Sequence, residues 1–593
     1  MKIFLLASVA LASAMSAAGA ADMPPPRPVP QPPAWSWEGL YIGVHSGALW
    51  SGAQFSNPFG ASMYGDLVDV PGYLTGAQIG FNWMVAPGWV AGIEADASFV
   101  SSDGSNTCLQ FARDFIGSNC RVNTRGMGTF TGRLGVTAGP AGRTLLYGKG
   151  GLAWISNQMA LQVNHLPEGA SFPQGATGTT YTQWGWTIGA GVEQALTAAW
   201  SLKLEYDYLR FADKDVTTPA SIVVNPGNGS IAQVIAAASS TVRQDAHLFK
   251  LGLNYKWGAD PWSAWSAPWA AWAPASAATA AVPVKGIYKG PPPASPAWAA
   301  GWELEVGGRY WLSTGRFQWD NFASPDVAIS RLTYSRMVGH SGELFGRVDT
   351  PLNVFVKGFI GGGSITRGQM NDEDWGLTDP GFVTGYTNTL SDPVKGPIGY
   401  ATADIGFDAL RGPGYKAGPF VGYNYFREVL NAYGCAQTAN PAAGICTPSV
   451  PATVLVITQT AKWQSLRIGY AADTMLTESV KIGGDVAYLP YVAFDGRDDH
   501  WLRDTRTFFD QRSRNGRGVQ AELLVSYLVT PSFSLGVGGR YWAMWTQQGE
   551  FTCTGCPGGA APPNPSKNTT ERYGVFFQGA YRFDSPVVVT AKN

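Results

Sequence analysis

GYLTGAQIGFNWMVAPGWVAGIEADASFV, residues 72–100, decides the fold. Apolar and small or polar residues alternate with period 2 on both sides of Ala86-Pro87-Gly88, the mark of two strands joined by a tight turn. Outward from this hairpin the same reading gives eight candidate strands at 40–50, 72–85, 89–100, 125–138, 144–159, 182–196, 200–211 and 241–257. Their connections alternate between short (86–88, 139–143, 197–199) and long (51–71, 101–124, 160–181, 212–240). An even strand count with short turns on one side and long loops on the other is the pattern of an outer-membrane barrel with both ends in the periplasm. A soluble β-sandwich does not predict that alternation.

Composition agrees. Of 593 residues only 14% are charged, while 45% are hydrophobic and 13% aromatic, so something other than water solvates part of the surface. Beyond residue 20 no apolar run reaches the about 18 residues that a membrane helix needs. The net charge of -1 lacks the basic field that nucleic-acid binding requires.

Lys2, the apolar stretch 3–14 and Ala18-Gly19-Ala20 read as a secretory signal over 1–20, followed by a Pro-rich leader at 21–37. Export puts the six cysteines in an oxidising compartment, in three close pairs: Cys108 with Cys120, Cys435 with Cys446, and Cys553 with Cys556. The last pair has CxxC spacing, but in a Gly/Pro-rich loop it reads as a plain disulfide rather than a redox or metal site. A Pro/Ala/Trp-rich stretch, 258–301, reads as a periplasmic linker between two patterned regions, 38–257 and 302–583, with a tail at 584–593. The second region gives ten candidate strands: 302–316, 331–348, 353–369, 399–410, 415–430, 456–472, 479–494, 519–529, 533–547 and 573–583. The fold class is therefore all-β: two tandem transmembrane antiparallel barrels of about eight and about ten strands. An eight-stranded barrel is filled by its own side chains, which argues against a wide pore.

Two polar clusters in the second region carry chemistry: Met370-Asn371-Asp372-Glu373-Asp374-Trp375 and Asp495-Gly496-Arg497-Asp498-Asp499-His500-Trp501. Residues i and i+2 share one face of a strand, so Asp372 converges with Asp374 and Asp498 with His500. Both pairs lie 20 or 21 residues past their lower turns, at Leu352 and Thr477. With roughly 3.3 Å per residue and a tilt of about 40° they stand about 50 Å up, above an apolar band of about 25 Å. His500 suits a general base toward water, Asp498 an orienting partner, and the Asp pair a shared proton for the leaving amine. The competing readings are a solvated acidic face or a weak Ca²⁺ loop of Asn371, Asp372, Asp374 and Asp379.

Two resemblances extend this reading. The opening WSWEGLYIGVHSGALW (35–50) and closing HLFKLGLNYKW (247–257) resemble the Omp25/Omp31-type porin-like outer-membrane proteins, which implies an eight-stranded barrel over about 36–257. The second region, about 302–583, resembles the omptins, ten-stranded outer-membrane endopeptidases: Met370 to Trp375 matches the family's M-x-D-x-D-W, and Asp498 with His500 its D-x-H. Further echoes are Ile329-Ser330-Arg331-Leu332, the stretch 415–423 and Val529-Thr530-Pro531. The resemblance implies a surface endopeptidase of a Gram-negative bacterium, with Asp372, Asp374, Asp498 and His500 catalytic and the loops extracellular. Its partners are peptide or protein substrates and outer-membrane lipid; it implies no metal or cofactor, but a lipopolysaccharide requirement. The family's acidic residue for a basic substrate side chain is not matched at Gly315 to Asp320, leaving Asp320 and Asp495 as weak substitutes. The rival is a non-enzymatic porin or adhesin whose acidic loops bind cations or partners.

Overall fold

The computed structural model describes residues 35–56, 66–108, 118–139, 142–165, 171–172, 177–218, 220–224, 231–235, 237–257, 301–375, 386–412, 414–439, 445–503, 505–556 and 563–584. The secretory signal, nearly all of the leader and of the linker, Asp379 and most of the tail lie outside them. Every long regular element among the described residues is a strand, and the described residues from Trp37 onward form one compact unit.

The first eight long strands are β1 (Gly39–Phe55), β2 (Leu67–Ala86), β3 (Trp89–Ser102), β4 (Ser118–Ala138), β5 (Thr144–His165), β6 (Thr177–Ala195), β7 (Trp200–Phe211) and β8 (Ala238–Lys256). Each pairs antiparallel with its neighbours, and β8 pairs back onto β1, from Tyr41 opposite Lys256 to Phe55 opposite Val242, so the ring closes. Closure matters because lipid offers no hydrogen-bond partner to an open edge. The second ring contains β9 (Glu303–Ser324), β10 (Val327–Asp349), β11 (Val354–Asp374), β12 (Val394–Phe407), β13 (Tyr415–Ala439), β14 (Val450–Met475), β15 (Val480–His500), β16 (Thr507–Leu528), β17 (Phe533–Trp545) and β18 (Asn564–Asp584). It closes where β18 pairs with β9, Glu303 opposite Asp584.

Strand alternation sorts the side chains. Leu40, Ile42, Val44, Trp184, Trp186 and Ile188 on the first barrel, and Leu344, Ile360, Val421, Ile468 and Phe577 on the second, are exposed outward as a lipid-facing surface requires. The first lumen is filled by ions. Lys203 Nζ lies 2.8 Å from Glu94, Lys149 Nζ 2.9 Å from Glu205, Lys250 Nζ 2.8 Å from Asp207 and Arg133 3.0 Å from Glu193, all buried. The second lumen carries Arg540 bonded to both Glu343 and Glu522 at 2.7 Å. Trp311, Tyr400 and Trp542 lie against that arginine, and Phe317, Tyr334, Trp463 and Phe494 continue the apolar core toward the loop end. These layers make a solid floor beneath the rim.

Several strands run farther than the sequence pattern predicts. β9 and β10 continue past residue 316 and before residue 331, leaving Pro325-Asp326 as their turn where a long loop was expected. β11 and β15 likewise reach Asp374 and His500. Above the lipid, polar residues on both faces erase the period-2 signal while the backbone ladder continues. Short strands, among them Gly104–Cys108 and Thr387–Ser391, occupy the expected loops. The disulfides join Cys108 to Cys120, Cys435 to Cys446 and Cys553 to Cys556, across Cα separations of 5.7, 5.7 and 5.9 Å.

The barrels stand side by side with their loop ends at the same level. At the turn end Tyr415 Oη donates to Leu196 O at 2.9 Å, in the middle Tyr73 stacks on Tyr488 with centroids 4.5 Å apart, and at the rim Val163 N donates to Asp326 O at 3.1 Å. There β5 and β10 pair briefly in parallel, so one sheet runs through both rings.

The lumen ions set a stability expectation. Lys203→Ala leaves Glu94 short of a buried cation at 2.8 Å, and removing one partner of such a pair costs about 3–5 kcal/mol. The urea midpoint for loss of the compact, heat-modifiable electrophoretic form should fall; an unchanged midpoint refutes the network's role.

Candidate active site at the rim of the second barrel

Asp372 and Asp374 occupy the last pairs of the ladder on β11, opposite Leu332 and Ser330 of β10. Asp498 and His500 end β15, opposite Phe509 and Thr507 of β16. Because Trp319, Leu332 and Tyr334 on the same faces belong to the lumen core, both pairs point inward over the aromatic floor. His500 Nε2 lies 2.7 Å from Asp498 Oδ2, and its ring meets Phe509 edge-on at 5.2 Å. Asp498 is fully buried and His500 partly open.

The four groups share one electrostatic environment. Burial first, then the neighbouring charges of Asp374 and Asp498, hold Asp372 well above the usual carboxylate range. Burial also raises Asp374, against the Ser330 hydroxyl and the positive charges of Arg503 and His500. Asp372 Oδ1 has no hydrogen-bond partner among the described residues. The arrangement therefore disfavours negative charge on the Asp pair and sets the imidazole of His500, partly open, beside the buried Asp498 carboxyl group.

The other predicted residues are elsewhere. Asp320 is buried on the outer face of β9, bonded to Arg331 Nε at 2.6 Å, and Asp495 is on the outer face of β15, bonded to Arg514 at 2.7 Å. One-residue alternation separates each from the inward set, so neither joins the quartet. Asn371 also points away, donating to Asn388 Oδ1 at 2.7 Å, which removes it from the acid pair that a Ca²⁺ loop needs. Among the described residues no group of three or more His, Cys, Asp or Glu is arranged to hold a metal ion.

Two neighbours escaped the sequence reading. Tyr334, fully buried on β10, feels the charges of both Asp498 and Asp372, and burial pushes its phenol well above the usual value. Its position two residues past Leu332 on the inward face was a usable signal. Arg503, exposed beyond β15, acts on both Asp372 and Asp374, and nothing in its spacing announces it.

Two closed barrels, the second with an Asp-Asp and an Asp-His pair on its rim, define a tandem outer-membrane barrel protein. Residues 4–257 match the family model described as outer membrane protein beta-barrel domain, and residues 349–559 match the Omptin family. The 31 kDa outer-membrane immunogenic protein of Brucella melitensis biotype 1 is 32% identical over 268 residues, 43% of this chain and 100% of that protein. The 22 kDa outer membrane protein of Rhizobium leguminosarum bv. viciae is 31% identical over 188 residues, 31% of this chain and 70% of its own. Among solved structures, the outer membrane protease OmpT from Escherichia coli superposes with a TM-score of 0.42 and 15% identity, covering 47% of this chain and 97% of that one. The chain belongs to the family of outer-membrane β-barrel proteins through its first half, and residues 349–559 of its second half carry the match to the Omptin family. Its place is the outer membrane of a Gram-negative bacterium.

The raised Asp372 yields a signed expectation. Below the unfolded Asp value of about 3.9 both states hold the proton. As pH rises through and beyond it the unfolded chain releases its proton first, so stability is lost toward neutral pH. Asp372→Asn, which mimics the protonated form, should raise the urea midpoint at neutral pH, and the gain should vanish on acidification to about pH 4. A variant no more stable than wild type at neutral pH contradicts this.

Proposed function

We propose that the second barrel is an endopeptidase whose attacking water is activated between Asp498-His500 and Asp372-Asp374. The observation carrying this reading is the 2.7 Å His500–Asp498 pair on the same inward rim as an acid pair that feels its charge. Asp498 orients the imidazole and stabilises the imidazolium as His500's other ring nitrogen takes a proton from water. Hydroxide then attacks the scissile carbonyl, and the proton held by Asp372 goes to the leaving amine as the C–N bond breaks. Tyr334, kept neutral, is a hydrogen-bond donor available beside both carboxylates. The omptin match supports peptide or protein substrates, and the rim position supports cleavage at the cell surface. With Asp320 and Asp495 both turned outward, a preference for basic side chains finds no support at either residue. Lipopolysaccharide belongs to this reading as a required lipid partner.

The test is cleavage of a randomised peptide library by the refolded chain with lipopolysaccharide, wild type beside His500→Ala and Asp372→Ala. Both variants should lose about 10³-fold or more in kcat while keeping heat-modifiable mobility. A folded wild type that cuts nothing overturns the protease reading in favour of a non-enzymatic barrel.

A further inference from the structure

We propose that the first barrel is a positioning element for the second barrel's site, acting through a disulfide-closed hairpin that clamps the back of the acid-bearing strand. This rests on the endopeptidase reading. The hairpin is the short strand Gly104–Cys108 paired with the start of β4 and closed by the Cys108–Cys120 bond. Its Thr107, fully buried, meets the strand residue between the two site aspartates. Thr107 Oγ1 donates to Glu373 Oε2 at 2.9 Å and accepts from Arg331 Nη1 at 2.9 Å. Beside it Ser105 Oγ donates to Asp320 Oδ2 at 2.7 Å, and Gln318 Nε2 donates to Ser105 O at 3.0 Å. Lys567 of β18 lies 3.4 Å from Asp103 on the same seam.

The alternation that points Asp372 and Asp374 inward points Glu373 outward, and a strand cannot turn one side chain without turning its neighbours. Glu373 is held by Thr107 and, from the opposite side, by Tyr386 Oη at 3.0 Å, while Arg331 is bonded to Asp320. These groups stand above the lipid band, where no bilayer pressure keeps a strand tip in place. Burying two carboxyl groups two residues apart costs desolvation at that tip, and the clamp holds the strand from behind. Thr107, Glu373 and Arg331 are thus positioning residues: they touch no substrate and act through the backbone that carries the acid pair. The hairpin belongs to a barrel whose lumen is crossed by buried ion pairs, a firm base for such a clamp.

The experiment uses the full-length refolded chain and compares kcat and KM for one peptide cut by the wild type. Thr107→Val removes the hydroxyl with little change of shape. It should lower kcat about tenfold or more, because small misplacements of reacting groups are amplified in rate, while KM stays within about twofold. Thr107→Ser should restore kcat. Glu373→Gln should give a similar fall, and the Thr107→Val/Glu373→Gln double variant should be no worse than the poorer single one, since both break one contact. Asp69→Asn, which loosens the same seam at Arg316 (3.3 Å away) without touching β11, should keep wild-type kcat. If Thr107→Val fails to reach the heat-modifiable form, Glu373→Gln is judged by the same criteria. An unimpaired variant, or an equal fall in Asp69→Asn, overturns the clamp while leaving the protease reading intact; a wild type that cuts nothing overturns both.

Discussion

Every backbone N–H and C=O that crosses a bilayer must find its partner within the protein, and for this chain that means antiparallel pairing on both sides of every spanning strand. The requirement closes the rings at β1–β8 and β9–β18 and forces strict alternation of side chains between lipid and lumen. The two barrels differ in how each lumen uses its inward half. The first fills it with lysines and acids in contact, the second with an arginine-glutamate layer roofed by tryptophan and phenylalanine. Ion pairs cross the first interior, aromatic layers cross the second, and at the second rim His500 is partly open.

The same alternation places the candidate chemistry. A carboxylate two residues from another on a strand shares its face whatever the solvent, so Asp372-Asp374 and Asp498-His500 are geometric pairs before any tertiary contact forms. The ring then brings the two strand ends over one floor. Removing water from that floor raises Asp372, and the second negative charge at Asp374 raises it further. A group that resists ionisation in the fold is a destabilising one at neutral pH, so the rim is the part of the barrel least supported by its own energetics.

Legibility followed the physics. Where lipid meets one face and the lumen the other, residues 72–100 and their kin alternate clearly, and strands, ring sizes and turn side are readable. Above the lipid that contrast ends. The polar upper halves of β9 and β10 read as a long loop although they continue the ladder to the Pro325-Asp326 turn. Asp320 and Asp495 were readable as acids near the site but not as outward ones, because which parity faces the lumen is settled by the core partners Trp319 and Phe494. Arg331 and Arg514, which bind them, come from neighbouring strands and leave no local trace. The contacts between the two halves were least legible of all, since Thr107 and Glu373 are 266 positions apart and neither was read as a partner of the other.

That last contact bears on why two barrels share a chain. A rim that buries two carboxyl groups at strand ends costs desolvation, and support from outside its ring is effective only if it arrives in fixed register. A covalent tether raises the local concentration of one barrel around the other, and side-by-side packing from Tyr415 at the turn end to Val163 at the rim removes the remaining freedom. The hairpin's disulfide and the burial of Thr107 then make the contact stiff at the point of delivery. On this account the buried ion pairs of the first lumen and the clamp on β11 are two halves of one arrangement: a barrel cross-linked inside by ion pairs is a firm support for the strand it braces.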